Sequence, residues 1–217
     1  MVDQTAPPAS QTVSAVEHSL AHELWSFVKS LLLILILAVV IRGVALEAFY
    51  IPSSSMEPTL QVRDRIFVSK FWYGFRIPFK RTTLIPVRNP RRRDVVVFYR
   101  ADDPQTLENE AKDAIIKRVI GLPGDVVEVR GTSVIVNGET LVEPYARWAE
   151  GGRIPGGDFG PQTVPEGRIF LLGDNRDHSK DSRFWQDSHF LPVENVVGRA
   201  FIIFWSTFDF WRIGNLL

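Results

Sequence analysis

Residues 114–130 read Ala-Ile-Ile-Lys-Arg-Val-Ile-Gly-Leu-Pro-Gly-Asp-Val-Val-Glu-Val-Arg. Two short runs rich in valine and isoleucine flank a segment that contains two glycines and a proline. β-Branched residues favour strands, whereas glycine and proline favour tight turns. The stretch therefore predicts two β-strands joined by a turn.

Similar runs recur along the rest of the chain, each short and rich in Val, Ile, Phe or Tyr. The predicted strands cover residues 65–70, 94–99, 114–120, 125–130, 132–136, 168–172 and 196–205. Asn137-Gly138 lies between two of these apolar runs and is a strong signal for a two-residue hairpin turn. No long stretch after residue 48 has the spacing of apolar residues that is typical of a helix. The sequence predicts a mainly β, antiparallel domain over residues 49–217, with residues 143–167 as a long loop excursion.

The segment before this domain has a different composition. Residues 31–41 contain no polar side chain, and the apolar stretch around them is about 20 residues long, enough to cross a hydrocarbon core. Lys29 and Arg42 lie near its ends, where long side chains can reach the headgroups. We predict a single transmembrane helix over residues 25–48, preceded by a disordered tail over residues 1–24. An uncleaved anchor is favoured over a secretory signal because the apolar core is long and no Ala-x-Ala-like site follows it promptly.

Charge and composition exclude several classes of function. The formal net charge is zero, so there is no global electrostatic case for binding nucleic acid. The chain has no cysteine, which excludes disulfides, thiol catalysis and thiolate metal sites. Its four histidines are scattered without the spacing of a zinc motif. We expect no metal, no cofactor and no nucleic-acid partner.

Three serines, Ser53 to Ser55, follow directly after the predicted anchor. A serine hydroxyl is a weak nucleophile unless an adjacent base accepts its proton. Beyond the anchor, the histidine candidates for this base are His178 and His189. A lysine can also serve if burial lowers its pKa towards neutrality. For the serines alone, an ordinary polar turn or helix cap remains an alternative.

Lys117 is the lysine with the most apolar neighbourhood. Alternation along a strand places it on one face with Ile115 and Val119, which we expect to be buried, and places Ile116 and Arg118 on the opposite face. A lysine that protects an edge strand against aggregation is the other interpretation. The flanking residues alone leave both open.

Three stretches occur in order along the chain: Ser55-Met56-Glu57-Pro58-Thr59-Leu60, then Ile115 to Asp125, then Gly173-Asp174-Asn175-Arg176-Asp177-His178-Ser179-Lys180-Asp181-Ser182-Arg183. Asp94-Val95-Val96-Val97-Phe98 is a weaker fourth. Together they resemble the motifs of bacterial type I signal peptidases (leader peptidases), which are Ser-Lys serine proteases.

The resemblance implies a role for each matching position. Ser55 matches the nucleophile and Lys117 the general base. The hydroxyl of Ser53 and the backbone N–H of Ser55 match the oxyanion hole, and Ser179 matches the hydroxyl that orients the lysine. Asp181 and Arg183 match a structural ion pair behind the site. Walls of the shallow pockets for small substrate residues, one and three positions before the cut, are matched by Phe49, Ile51, Met56, Leu60 and Ile116.

The function implied is a membrane-bound serine endopeptidase that removes signal peptides from exported preproteins through an acyl-enzyme, with preproteins and membrane lipid as its partners. The positive-inside rule leaves the topology open, but the resemblance implies a cytoplasmic N-terminus and an extracytoplasmic catalytic domain. The location implied is the inner (plasma) membrane, or the thylakoid membrane in a photosynthetic organism. The alternatives are a catalytically silent, membrane-tethered β module that binds exported chains, a repressor-type Ser-Lys autoprotease, and a Ser-His mechanism through His178 or His189.

Overall fold

A computed structural model describes residues 9–40, 46–76, 83–86, 88–100, 114–149, 158–185 and 188–217. Within these ranges, the side chains of residues 9–21, 38–40, 74–76 and 83–86 are not described. The chain divides into two compact units, Met1–Arg42 and Gly43–Leu217.

The first unit contains one helix, α1, over Ala9–Val40. It begins inside the segment predicted to be a disordered tail, so that prediction is wrong for residues 9–24. Their alanines, leucines and glutamates favour helix, and an adjoining apolar run lets a helix propagate at little further cost. Within the described residues, no helix is both long enough and apolar enough to cross a membrane. Residues 41–45 of the predicted anchor lie outside the described ranges, and its last residues belong to a strand that starts at Leu46.

The second unit is mainly antiparallel β, as predicted. Its strands are β1 Leu46–Tyr50, β2 Arg65–Ser69, β3 Gly74–Arg76, β4 Thr83–Pro86, β5 Val95–Phe98, β6 Ile115–Gly121, β7 Val126–Arg130, β8 Ser133–Val136, β9 Glu139–Thr140, β10 Phe159–Thr163, β11 Arg168–Leu172, β12 Leu191–Pro192 and β13 Val196–Trp205. Short 3-10 helices cover Ser54–Met56, Arg176–His178, Val193–Asn195 and Phe210–Arg212. Each strand predicted from the sequence is present, with ends that differ by a residue or two.

These strands form a seven-stranded sheet in the order β1-β2-β13-β5-β6-β11-β12, a four-stranded sheet in the order β10-β7-β8-β9, and a hairpin of β3 and β4. In the large sheet, β6 lies between β5 and β11, and Lys117 is opposite Val96. The strand that carries Lys117 is therefore internal. The interpretation of Lys117 as an edge-strand lysine is wrong.

Part of the predicted loop excursion, residues 143–167, is also a strand. β10 pairs with β7, with Phe159 opposite Val129. The side chain of Phe159 is buried and its ring lies 4.9 Å from that of Phe170 on β11. The glycine and proline of this segment predict a loop, but the aromatic contact stabilises it as a strand. Residues 150–157 of the excursion lie outside the described ranges.

The two larger sheets share a buried apolar cluster. β6 and β11 contribute Ile120, Phe170 and Leu172, and the four-stranded sheet contributes valines that include Val127 and Val134. Phe170 has no exposed surface and lies between the two sheets. Burial of this face fixes the four-stranded sheet against β6 and β11.

We expect Phe170→Ala to lower the free energy of unfolding by about 3–5 kcal/mol, because it removes a fully buried ring and leaves a cavity. The control is Val142→Ala, at a side chain that is 76% exposed, which should change stability by less than about 0.5 kcal/mol. Urea unfolding of the detergent-solubilised chain, followed by tryptophan fluorescence, measures both. Equal stabilities for the two variants would contradict the shared core.

Candidate active site

The sequence around Ser55 is held in place by backbone bonds and by two core side chains. Ile51 N–H donates to Asp64 C=O, and Leu60 N–H donates to Met56 C=O. Met56 and Leu60 have no exposed surface, so they anchor the turn that carries Ser55. Ser55 itself is buried, within the 3-10 helix Ser54–Met56.

Lys117 reaches this serine from the internal strand β6. Its Nζ donates to Ser55 Oγ at 2.7 Å and to the carbonyl oxygen of Ile116 at 2.8 Å. Lys117 is only 4% exposed. A nucleophile within hydrogen-bond reach of a base is the arrangement that covalent catalysis requires. The two residues that the sequence analysis paired, 62 positions apart, are therefore in contact.

Burial lowers the pKa of the Lys117 ammonium from 10.5 to about 8, because the charged form loses its hydration. The nearby carboxylates of Asp181 and Asp174 act in the opposite direction and raise this pKa. Desolvation is the larger effect. The amine can thus lose its proton near neutral pH, as a general base must.

The other face of β6 is also buried, contrary to the expectation of one buried face. Ile116 and Arg118 are each 7% exposed. Arg118 is tolerated there because its Nε and Nη2 donate to the fully buried Asp174 at 2.8 and 2.5 Å. Its guanidinium also lies 4.0 Å from the ring centroid of Tyr145. A charge can lie inside a protein when it is paired and hydrogen-bonded in this way.

The loop from Gly173 to Arg183 contacts the backbone of the nucleophile directly. Asn175 N–H donates to the carbonyl oxygen of Ser55 at 3.1 Å, and its side-chain amide donates to the carbonyl of Ser54 at 3.1 Å. Gly173 leaves no room for a side chain, since a Cβ there would lie 2.5 Å from Ser55 O. Asn175 has no role in the prediction from sequence. Its amide in a run of charged residues could have suggested one, but the run does not show which atoms the amide contacts.

At the end of this loop, Asp181 and Arg183 form the ion pair that the resemblance implied. Arg183 Nε and Nη2 lie 2.8 and 3.0 Å from the two carboxylate oxygens, and both side chains are buried. Asp181 also accepts a hydrogen bond of 3.0 Å from Gly173 N–H. The pair therefore ties the end of the loop to its beginning.

The two remaining serines of the predicted site differ in their surroundings. Ser53 is exposed, and its Oγ lies 3.4 Å from Ser55 Oγ. Ser179 is 4% exposed, and its Oγ has no hydrogen-bond partner among the described residues. The position that a Cβ of residue 173 would take is 2.2 Å from that Oγ. Ser179 thus presents a free hydroxyl beside the Gly173 backbone, and its orientation of the lysine stays a prediction.

The predicted pocket residues pack together, but they are not equally accessible. Ile51, Met56, Leu60 and Ile116 belong to one core cluster, and Phe49 packs against it. Met56 and Leu60 have no exposed surface. Phe49 is half-buried and Ile116 retains a small exposed fraction. The role of these residues as pocket walls stays a prediction.

The histidines are placed away from the nucleophile's hydrogen bonds. His189 Nδ1 lies 2.7 Å from the carbonyl oxygen of Ser182, and His178 ends the 3-10 helix Arg176–His178. Over the described part of the chain, no hydrogen bond joins either ring to Ser55. The geometry favours Lys117 over both histidines as the base.

Comparison with known proteins identifies the family of this chain. Residues 24–205 match the family described as "Signal peptidase, peptidase S26". A signal peptidase I from Leptolyngbya laminosa is 38% identical over 97% of this chain and 91% of its own length. A probable signal peptidase I-2 from Synechocystis is 42% identical over 82% of this chain and 71% of its own. A solved signal peptidase I from Enterococcus faecalis, 30% identical, aligns over 52% of this chain and 97% of its own with a TM-score of 0.39, which is too low for a comparison of folds.

These matches define a hydrolase of the protease class. The chain belongs to the signal peptidase family, peptidase S26. The family inferred from the three sequence motifs is thereby confirmed.

We expect the rate of peptide-bond cleavage to rise with pH through a pKa of about 8 and then to level off. The sign follows from the base: the ammonium cannot accept a proton, and at pH 7 only roughly a tenth of a group with this pKa is neutral. The measurement is kcat/KM for a peptide substrate as a function of pH. A rate that stays constant from about pH 6 to pH 10 would exclude a lysine base.

Proposed function

We propose that this chain is a membrane-bound serine endopeptidase that removes signal peptides from exported preproteins, cutting after small residues. The observation that carries the proposal is the contact of 2.7 Å between Lys117 Nζ and Ser55 Oγ in a buried site. Membership of the signal peptidase family supports the choice of substrate.

In the first half of the reaction, neutral Lys117 takes the proton of Ser55, and Oγ attacks the carbonyl carbon of the scissile bond. Negative charge then develops on the carbonyl oxygen. The hydroxyl of Ser53 and the backbone N–H of Ser55 stabilise this charge, and a donor in such a position is worth about 2.7–4 kcal/mol. As the C–N bond breaks, the Lys117 ammonium gives its proton to the leaving amine. The mature protein leaves, and the signal peptide remains as an ester of Ser55.

In the second half, Lys117 activates a water molecule that attacks this ester. The ester bond breaks, the proton returns to Ser55 Oγ through Lys117, and the signal peptide leaves as a carboxylic acid. The reaction uses side chains and water alone, and needs no cofactor or metal.

The surrounding residues hold this geometry. We assign to Ser179 the orientation of the lysine amine, which would give its buried hydroxyl the partner that it lacks among the described residues. Asn175 restrains the backbone of Ser55 at 3.1 Å, and the ion pair of Asp181 and Arg183 holds the loop from behind. These are positioning roles, because none of these groups touches the reacting atoms.

Specificity for small residues follows from the limited depth of the pocket. Phe49 and Ile116 form its accessible wall, and the fully buried Met56 and Leu60 close it from behind. Overpacking a closed apolar site typically costs about 1–3 kcal/mol, so bulky substrate residues are excluded. Ile51 completes the apolar floor.

We place the catalytic domain outside the cytoplasm, tethered to the membrane by the apolar segment between residue 25 and the start of β1, with membrane lipid as a partner. Residues 31–37 of α1 are apolar and exposed on every side, as expected for a helix surrounded by lipid. The catalytic unit also exposes large apolar side chains, including Trp205, Phe208, Phe210 and Trp211. Exposed aromatic groups of this kind favour the membrane interface. A protease at this position meets exported preproteins where they emerge from the bilayer.

We expect Ser55→Ala and Lys117→Met each to lower the rate of precursor cleavage by at least about a thousandfold, because nucleophile and base act as a unit. The matched controls are Ser54→Ala, which removes a neighbouring hydroxyl, and a double His178→Ala/His189→Ala variant. Both should cleave at close to the wild-type rate. Mass spectrometry of the products identifies the bond that is cut.

Four outcomes would contradict the proposal. Normal processing by the Ser55 or Lys117 variant would exclude the dyad, and loss of activity only in the histidine variant would indicate a Ser-His mechanism. A wild-type chain that binds the precursor but never cuts it would be a silent β module. Cutting confined to the chain itself would indicate an autoprotease.

A further inference from the structure

A cavity of about 360 Å³ lies in the catalytic unit, lined by residues that have no part in the proposed reaction. Its floor comes from three adjacent strands of the large sheet. Leu46 on β1 is opposite Ser69 on β2, and Ser69 is opposite Arg199 on β13. Residues directly opposite each other in antiparallel strands share one face of the sheet. Phe201, at a register shift of β13, also lines the cavity.

The remaining walls are apolar. They come from the turn after β2 and from the residues after β13: Phe71, Trp72, Leu216 and Leu217. The volume lies at the lower end of the roughly 300–1,000 Å³ typical of ligand pockets. A site of this composition suits a hydrocarbon chain.

One polar group in the floor lacks a partner. Ser69 is only 4% exposed, and its Oγ makes no hydrogen bond within the described ranges. An unpaired buried hydroxyl destabilises the folded state unless a ligand supplies the missing partner. The ligand that completes this cavity therefore carries a hydrogen-bond acceptor next to its hydrocarbon part.

Two arginine side chains bring positive charge to this cavity. The guanidinium groups of Arg199 and Arg88 both lie over the ring of Trp72, at 5.6 and 5.2 Å from its centroid. Arg199 is already engaged: its Nε is 3.2 Å from Asp94 Oδ1 and its Nη2 donates to Leu217 C=O at 3.3 Å. The exposed Arg88 makes no ion pair within the described ranges, so its charge is the one left for a ligand. The nearby Glu47 is already paired with Lys70 at 2.8 Å. The charges at this cavity therefore favour an anion.

We propose that this cavity binds one anionic phospholipid. An acyl chain lies against Leu46, Phe201 and Leu216, an ester carbonyl oxygen accepts a hydrogen bond from Ser69 Oγ, and the phosphate faces Arg88 beside Trp72. Leu46 is the first residue of β1, so the cavity belongs to the part of the domain closest in sequence to the proposed membrane segment. This inference rests on the membrane tether of the proposed function. It adds a defined lipid site that is distinct from the Ser55 site.

The test uses the full-length chain in nonionic detergent, titrated with dioleoyl phosphatidylglycerol or with dioleoyl phosphatidylcholine and followed by native mass spectrometry. The expected result is one saturable site, with the anionic lipid bound at least about tenfold more tightly. Leu46→Trp should abolish this binding because the larger ring fills the floor. Val142→Trp, on an exposed side chain outside the cavity, is its matched control. Arg88→Gln, at an exposed side chain, should remove the preference for the anionic lipid.

Ser69→Ala tests the lipid site even if Leu46→Trp prevents folding. It removes a hydroxyl that makes no hydrogen bond to the residues the structure describes, so the chain should stay as stable as the wild type while its lipid affinity falls severalfold. Equal lipid binding by Leu46→Trp and Val142→Trp would overturn the proposal, as would tighter binding of oleate than of the phospholipid. Ser55→Ala should bind the lipid normally, so the lipid result is independent of whether the protein cleaves precursors.

Discussion

The hydrogen bond between Lys117 and Ser55 requires that a lysine be buried in the middle of a sheet. An ammonium group in that position loses its hydration, which costs several kcal/mol if nothing compensates. Because burial disfavours the charged form, the pKa of Lys117 is lowered to about 8, and the amine is partly neutral near that pH. The burial that makes the Lys117 ammonium unfavourable also gives its amine a pKa suited to a general base. The residues packed around Lys117 supply this burial.

Two buried carboxylates lie close enough to act on Lys117, and each is already paired with an arginine. Asp174 is bound by Arg118 and Asp181 by Arg183. Without these arginines, the carboxylates would hold the proton on Lys117 more strongly, because an opposite charge nearby favours the charged form. The two ion pairs thus secure the loop beside Lys117. Desolvation outweighs the two carboxylates, so the pKa of Lys117 stays below its ordinary value.

Much of this arrangement could be predicted from the sequence. The strands follow from runs of β-branched and aromatic residues, and the pairing of Ser55 with Lys117 from the resemblance of three motifs to those of signal peptidases; the need of a serine for a base left the histidines open. β10 was missed because glycine and proline in residues 159–163 hide a strand that its aromatic contact with Phe170 stabilises. The burial of Arg118 could not be foreseen, since its partner Asp174 is 56 residues away. Alternation assigns a residue to a face, but only tertiary packing decides whether that face meets solvent.

The most direct test of the central claim is the titration of Lys117 itself. Nuclear magnetic resonance of the chain with labelled lysine side chains follows each amine as a function of pH, and the Lys117→Met spectrum identifies its signal. A midpoint near the value of about 8 would support the buried, partly neutral base. A midpoint at the ordinary lysine value of 10.5 would show that Lys117 remains charged and would contradict this account.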